Sequence, residues 1–206
     1  MGTWDMTAAE RASLVDALGA LAAEDWDKPS WCAGWSVRDV AGHVCAAAYE
    51  TKAGFFGHLA GAGFNFDKFT DKGVQRMTAG RSDEEIVDAL RQRINTRNSP
   101  PGPTDTWLGE VLIHSEDIFR ALGQQREHPV EHVVTVADFY KNSNLVVGAK
   151  KRIAGFTLQA TDQDWSTGSG PEVRGPLLSL LMTMVGRKEA LGDLEGDGLA
   201  AFSGRF

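Results

Sequence analysis

The stretch Thr104–Gly123, TDTWLGEVLIHSEDIFRALG, decides how the rest of the chain is read. Its apolar residues recur at helical spacing, so it reads as one amphipathic helix. Glu110 and His114 stand four residues apart on that helix. Residues i and i+4 lie on adjacent turns, roughly 5–6 Å apart at Cβ, so a carboxylate and an imidazole there can share one cation. Trp107, Val111 and Ile118 lie close to the same face, which turns the pair inward. A buried carboxylate is costly unless something positive meets it. A metal ion or a basic side chain must therefore wait opposite Glu110.

Working outward, the preceding Ser99-Pro100-Pro101-Gly102-Pro103 cannot continue a helix and forms a rigid entry loop. Further back, Thr7 and Glu10 read as a capping box opening a first helix that runs to Trp26. Ser36 with Asp39 caps a second helix, on which Val40, His43, Val44 and Ala47 share a face. That helix is expected to fade into a glycine-rich loop over 54–66, followed by an ambiguous stretch over 67–81. Ser82 with Glu85 opens a third helix reaching about Arg97. Beyond Gly123, a long helix is expected over about 130–152.

At Gly155 the period changes from helical to alternating: Phe156, Leu158 and Ala160 against Thr157, Gln159 and Thr161, a strand pattern. Turn residues follow, then an apolar helix over Leu177–Val185 and a last strand over Gly198–Phe202. The expected architecture is mainly α, a four-helix bundle over 1–153 followed by a small α+β subdomain over 154–206.

Composition narrows the function. A net charge of −7 with scattered basic residues argues against a nucleic-acid surface, which needs clustered Lys and Arg. No apolar run approaches the ~20 residues that span a bilayer, and the N-terminus lacks a signal-peptide pattern. Cys32 and Cys45 form no metal or redox motif. A cytoplasmic protein is the expectation.

Three candidate ligands come from two helices: His43, Glu110 and His114. Two nitrogens and an oxygen, with a fourth position left open, is the donor pattern of a catalytic zinc site. The bland reading stands beside it: E-x-x-x-H arises on many helices by chance, and an inward histidine is commonly a hydrogen-bonded core residue. His58, His128 and His132 read as surface residues, Trp31 and Trp35 as packing residues, and Glu116 and Asp117 as solvent-facing. Cys45 points elsewhere on its helix than His43 and is rejected as a ligand.

GWSVRDVAGHV (Gly34–Val44) together with EVLIHSEDI (Glu110–Ile118) resembles the mycothiol-dependent maleylpyruvate isomerase family, whose fold includes a DinB-like four-helix metal-binding domain. The family's histidine eight residues after the tryptophan corresponds to His43, and its E-x-x-x-H-x-x-D motif to Glu110, His114 and Asp117. The tail ATDQDWSTGSGPEVRGPLLSLLMTMVGR is similar to the family's C-terminal segment, though the portion as a whole looks shorter. The resemblance implies a divalent ion of zinc type and mycothiol as thiol cosubstrate. It implies an arginine holding an anionic substrate at Arg187, and a second at Arg76, with Arg81 the alternative. The activity implied is a mycothiol S-transferase or isomerase, in which the metal holds the thiol as a thiolate for attack on a small electrophile. A metal-dependent hydrolase of thiol conjugates and a non-catalytic metal-binding module stay open as alternatives.

Overall fold

The structure, a computed structural model, describes residues 1–206. The chain divides into two compact units, Met1–Glu127 and His128–Phe206. This division falls earlier than the expected 153/154 boundary and assigns the helices after Pro129 to the second unit.

In the first unit, α1 (Thr3–Gly19), α2 (Val37–Tyr49), α5 (Asp83–Arg91) and α6 (Thr104–Phe119) form a closed ring of packed helices. Helix α1 lies against α5 and α6, and α2 against the same two. Leu14, Leu18, Val40, Val44, Ile86, Leu90, Val111 and Ile118 fill the space between them. The boxes at Ser36 and Ser82 are formed as read from sequence. Ser36 Oγ accepts from Asp39 N at 3.2 Å, and Ser82 Oγ from Glu85 N at 3.2 Å. Each satisfies a donor that the helix leaves open.

The start of α1 differs from expectation. The helix begins at Thr3, with Asp5 accepting from Gly2 N, and the Thr7/Glu10 pair is buried within it. Thr7 Oγ1 donates back to Thr3 O at 2.8 Å, the alternative partner a helical threonine has when it is not a cap. The glycine-rich stretch is also helical: α3 (Lys52–Gly61) is started by Thr51, whose hydroxyl accepts from Gly54 N. Residues left ambiguous form α4 (Phe66–Thr78), capped by Asn65. Helix α4 packs along α2, and Gly42 makes that approach close. A Cβ at Gly42 would stand 2.5 Å from Thr78 Cγ2, so the residue before His43 has to be small.

The expected helix over 130–152 is two helices in the second unit, α7 (Val130–Tyr140) and α8 (Ala149–Ile153). Between them Val146 and Gly148 take positive φ, which no helix continues through, and Val146 is exposed. Three short strands follow, β1 (Thr157–Ala160), β2 (Ser166–Gly168) and β3 (Glu172–Gly175). β1 lies between the others, antiparallel to β2 and parallel to β3, with Leu158 opposite Val173 and both buried. Helix α9 (Leu177–Met184) is buried on nearly every side and packs against α7. The expected last strand is instead helix α10 (Leu199–Ser203). Its Phe202 side chain is buried against Phe156, so burial of one residue and not alternation set the pattern. No helix is long and apolar enough to cross a membrane.

Candidate functional site

His43 sits midway along α2, and Glu110 and His114 midway along α6, in the first unit. The two helices pack, and this brings residues far apart in sequence together. His43 Nε2 lies 2.7 Å from Glu110 Oε1, and His114 Nε2 lies 3.8 Å from Glu110 Oε2. The two imidazoles meet edge to face with ring centroids 4.9 Å apart. One donor atom from each of the three residues falls within 4.8 Å of the others, an arrangement that could hold a metal ion.

A tetrahedral zinc ion with bonds near 2.0–2.2 Å spaces its nitrogen and oxygen donors about 3.4 Å apart. The observed separations of 2.7 and 3.8 Å, measured to the two oxygens of Glu110, straddle that value. Two imidazole nitrogens and one carboxylate oxygen fit a zinc-type ion by donor chemistry as well.

The surroundings set the orientation of His114. Its Nδ1 lies 2.9 Å from Asp117 Oδ2, and Asp117 is fully buried. With Nδ1–H donated to that carboxylate, the lone pair of the neutral ring stands on Nε2, facing Glu110. Trp35 covers His43, ring centroids 5.0 Å apart. Arg11 on α1 is buried and donates to the carbonyls of Arg93 and Thr96. Burial pulls its guanidinium down to about 10, while the charge of Glu110 acts the other way; it is cationic at neutral pH. Glu110 thus faces basic groups from α1, α2 and α6.

Two expectations fail here. Glu116 and Asp117 are buried, not solvent-facing: Glu116 Oε2 accepts from Arg120 Nε at 2.5 Å, and Asp117 holds His114. His132 is also buried, because the face of α7 that carries it, with Val133 and Val136, turns inward. His58 is half-exposed and meets the buried carboxylate of Glu50 at 2.8 Å. Arg76, on α4, reaches the same carboxylate at 3.8 Å. Arg81 is committed to the carbonyls of Arg76 and Met77, which leaves Arg76 as the more available of the two guanidiniums. Arg187 belongs to the second unit, just after α9, where one nitrogen donates to Val185 O at 3.3 Å.

One participant escaped the sequence reading. Cys32 lies on the turn between α1 and α2, which Ser30 closes by hydrogen bonds to Trp35. Trp31 N donates to Asp117 O at 2.9 Å and pins that turn onto α6. Cys32 Sγ then stands 3.5 Å from Asp117 Oδ2 and 3.8 Å from His114 Nδ1. Its placement between two tryptophans just ahead of the His43 helix is the only local signal; the contact itself spans more than eighty residues.

With the geometry in hand, comparison with known proteins is informative. Residues 7–100 match the family model described as the mycothiol maleylpyruvate isomerase N-terminal domain. The match lies within the helical first unit, which is similar to that domain over those residues. Two solved structures share the fold of this chain. One is the crystal structure of the mycothiol-dependent maleylpyruvate isomerase, at a TM-score of 0.66 and 13% identity. The other is a histidine-to-alanine mutant of that enzyme, at 0.63 and 12%. Each match covers 95% of this chain and 91% of the other. No protein of curated function matches. The likeness to the solved structures shows a shared fold over nearly the whole chain.

Proposed function

We propose that the chain is a metal-dependent, mycothiol-using enzyme, an isomerase or S-transferase acting on a small anionic electrophile. One observation carries this reading: Glu110 lies between two imidazoles, one of them oriented from behind by a buried carboxylate. That is how a ligand set is built, with the ring of His114 fixed before any ion arrives.

His43, Glu110 and His114 would hold the ion, whose donor set is that of zinc. A divalent ion there supplies the positive charge that ionises a thiol near neutral pH, where a free thiol of pKa about 8.5 is mostly protonated. The side chains of this chain do the rest. Asp117 keeps the proton of His114 on Nδ1 and leaves Nε2 as the donor. Trp35 shields one face of His43 from water. Arg11 adds fixed positive charge that acts on Glu110. Arg76 is proposed to hold a substrate carboxylate by paired hydrogen bonds, which fixes the direction of thiol attack. At Arg76 an anionic substrate would compete with Glu50 for the guanidinium.

The test is turnover of a panel of small electrophilic acids, maleylpyruvate among them, with and without mycothiol and with and without a chelator. Activity that needs both thiol and metal is expected, with His43→Ala losing one equivalent of bound metal and its turnover together. Turnover without any thiol would overturn the proposal, and so would full metal content in His43→Ala.

A further inference from the structure

We propose that Cys32, His114 Nδ1 and Asp117 form a second cation site, selective for thiophilic divalent ions, on the edge of the His114 ring opposite His43 and Glu110. The three donor atoms lie within 4.8 Å of one another. Their spacings are 3.8 Å from sulfur to nitrogen, 3.5 Å from sulfur to oxygen and 2.9 Å from nitrogen to oxygen. A tetrahedral ion with a sulfur bond near 2.3 Å and nitrogen and oxygen bonds near 2.1 Å asks for roughly 3.6 Å from sulfur to either of them and roughly 3.4 Å between nitrogen and oxygen. Two of the three distances already match. Only the nitrogen–oxygen pair has to open, by about half an ångström.

The site is held from both sides. Asp117 and His114 are one turn apart on the inner face of α6. Cys32 is brought to them by the Trp31-to-Asp117 backbone hydrogen bond and by the closed turn around Ser30. A thiolate in the donor set selects zinc, cadmium or cobalt over magnesium and calcium, which take oxygen ligands. Binding expels the Cys32 thiol proton and the His114 Nδ1 proton, and it replaces the hydrogen bond from His114 to Asp117 with bonds to the ion. When both edges of the ring are occupied, Glu110, Asp117, the thiolate and a bridging imidazolate supply four negative charges against two dications, so the pair is electrically balanced. An ion at the second edge therefore changes the electronic character of the ligand that both sites share, giving excess thiophilic metal a direct hold on the first site.

Cobalt(II) titration of the full chain under anaerobic conditions tests this. Only the second site contains sulfur, so a thiolate-to-cobalt charge-transfer band in the near ultraviolet reports it alone. The band is expected in the wild type and in His43→Ala, and is expected to vanish in Cys32→Ser. If His43→Ala does not fold, wild-type protein preloaded with one equivalent of zinc takes its place and should give the same band. Absence of the band in wild type at saturating cobalt overturns the proposal. Persistence of the band in Cys32→Ser assigns it to Cys45 and overturns it equally. Neither result bears on the first site, which is read by the metal content of Cys32→Ser.

Discussion

Asp117→Asn is the most instructive single change. The substitution keeps the volume of a fully buried side chain and removes its charge. The carboxylate lies 2.9 Å from His114 Nδ1, and the hydrogen bond there strengthens when the other edge of the ring faces a cation. Losing such a supporting group typically weakens metal affinity about 10–100-fold, or about 1.4–2.7 kcal/mol. The asparagine oxygen can still accept from Nδ1–H, so the lower half of that range is expected. Zinc dissociation constants measured by competition with a chromophoric chelator give the number. The metal-free protein should behave differently. Burying a carboxylate costs free energy that a neutral amide largely avoids, so the apo variant should unfold no earlier than apo wild type. That split separates a positioning residue from a merely structural one. An unchanged zinc affinity, or an equal loss of stability with and without metal, would refute the reasoning.

Further expectations concern the rest of the chain. Burial pushes the Cys45 thiol up to about 11, so native protein treated with iodoacetamide at neutral pH should leave Cys45 unmodified, and unfolding in guanidinium should expose it; mass spectrometry of the peptides decides. In the second unit, burial pushes the Asp138 carboxyl up, but hydrogen bonds from Lys141 and Trp165 outweigh it and hold the group below its usual range. Its stabilising effect is therefore present above the unfolded value near 3.9 and is lost as pH falls through the lower folded value, so Asp138→Asn should flatten the acid limb of the stability profile followed by tryptophan fluorescence. Leu90→Ala, at a fully buried position between α1 and α2, should cost about 2–5 kcal/mol in urea unfolding, and a loss under 1 kcal/mol would deny that α5 closes the bundle.

What the sequence disclosed was mostly local. Ser36 with Asp39 and Ser82 with Glu85 are complete in four residues, and both caps stand where the pattern put them. Thr7 with Glu10 carries the same letters but lies inside α1, because burial of that turn outweighs a cap it does not need. Helix α3 was hidden by its glycines, which lower helix propensity by about 1 kcal/mol each; packing beside α4 and the Thr51 cap restore it. The shared face of Glu110 and His114 follows from helical period alone, whereas the approach of His43 is tertiary and was implied only by the family's motif. Cys32 was illegible for the same reason. Its neighbours are 82 and 85 residues away, and no spacing rule reaches that far.

The central claim is that His43, Glu110 and His114 bind one divalent ion with room left for a thiol sulfur. X-ray absorption at the zinc edge, on protein loaded with a single equivalent, tests it most directly. In Cys32→Ser protein, which lacks the sulfur of the second site, the expected spectrum shows only nitrogen and oxygen neighbours, two of them imidazoles, and gains one sulfur near 2.3 Å when mycothiol is added. A spectrum that keeps its first shell unchanged in saturating mycothiol would contradict the account.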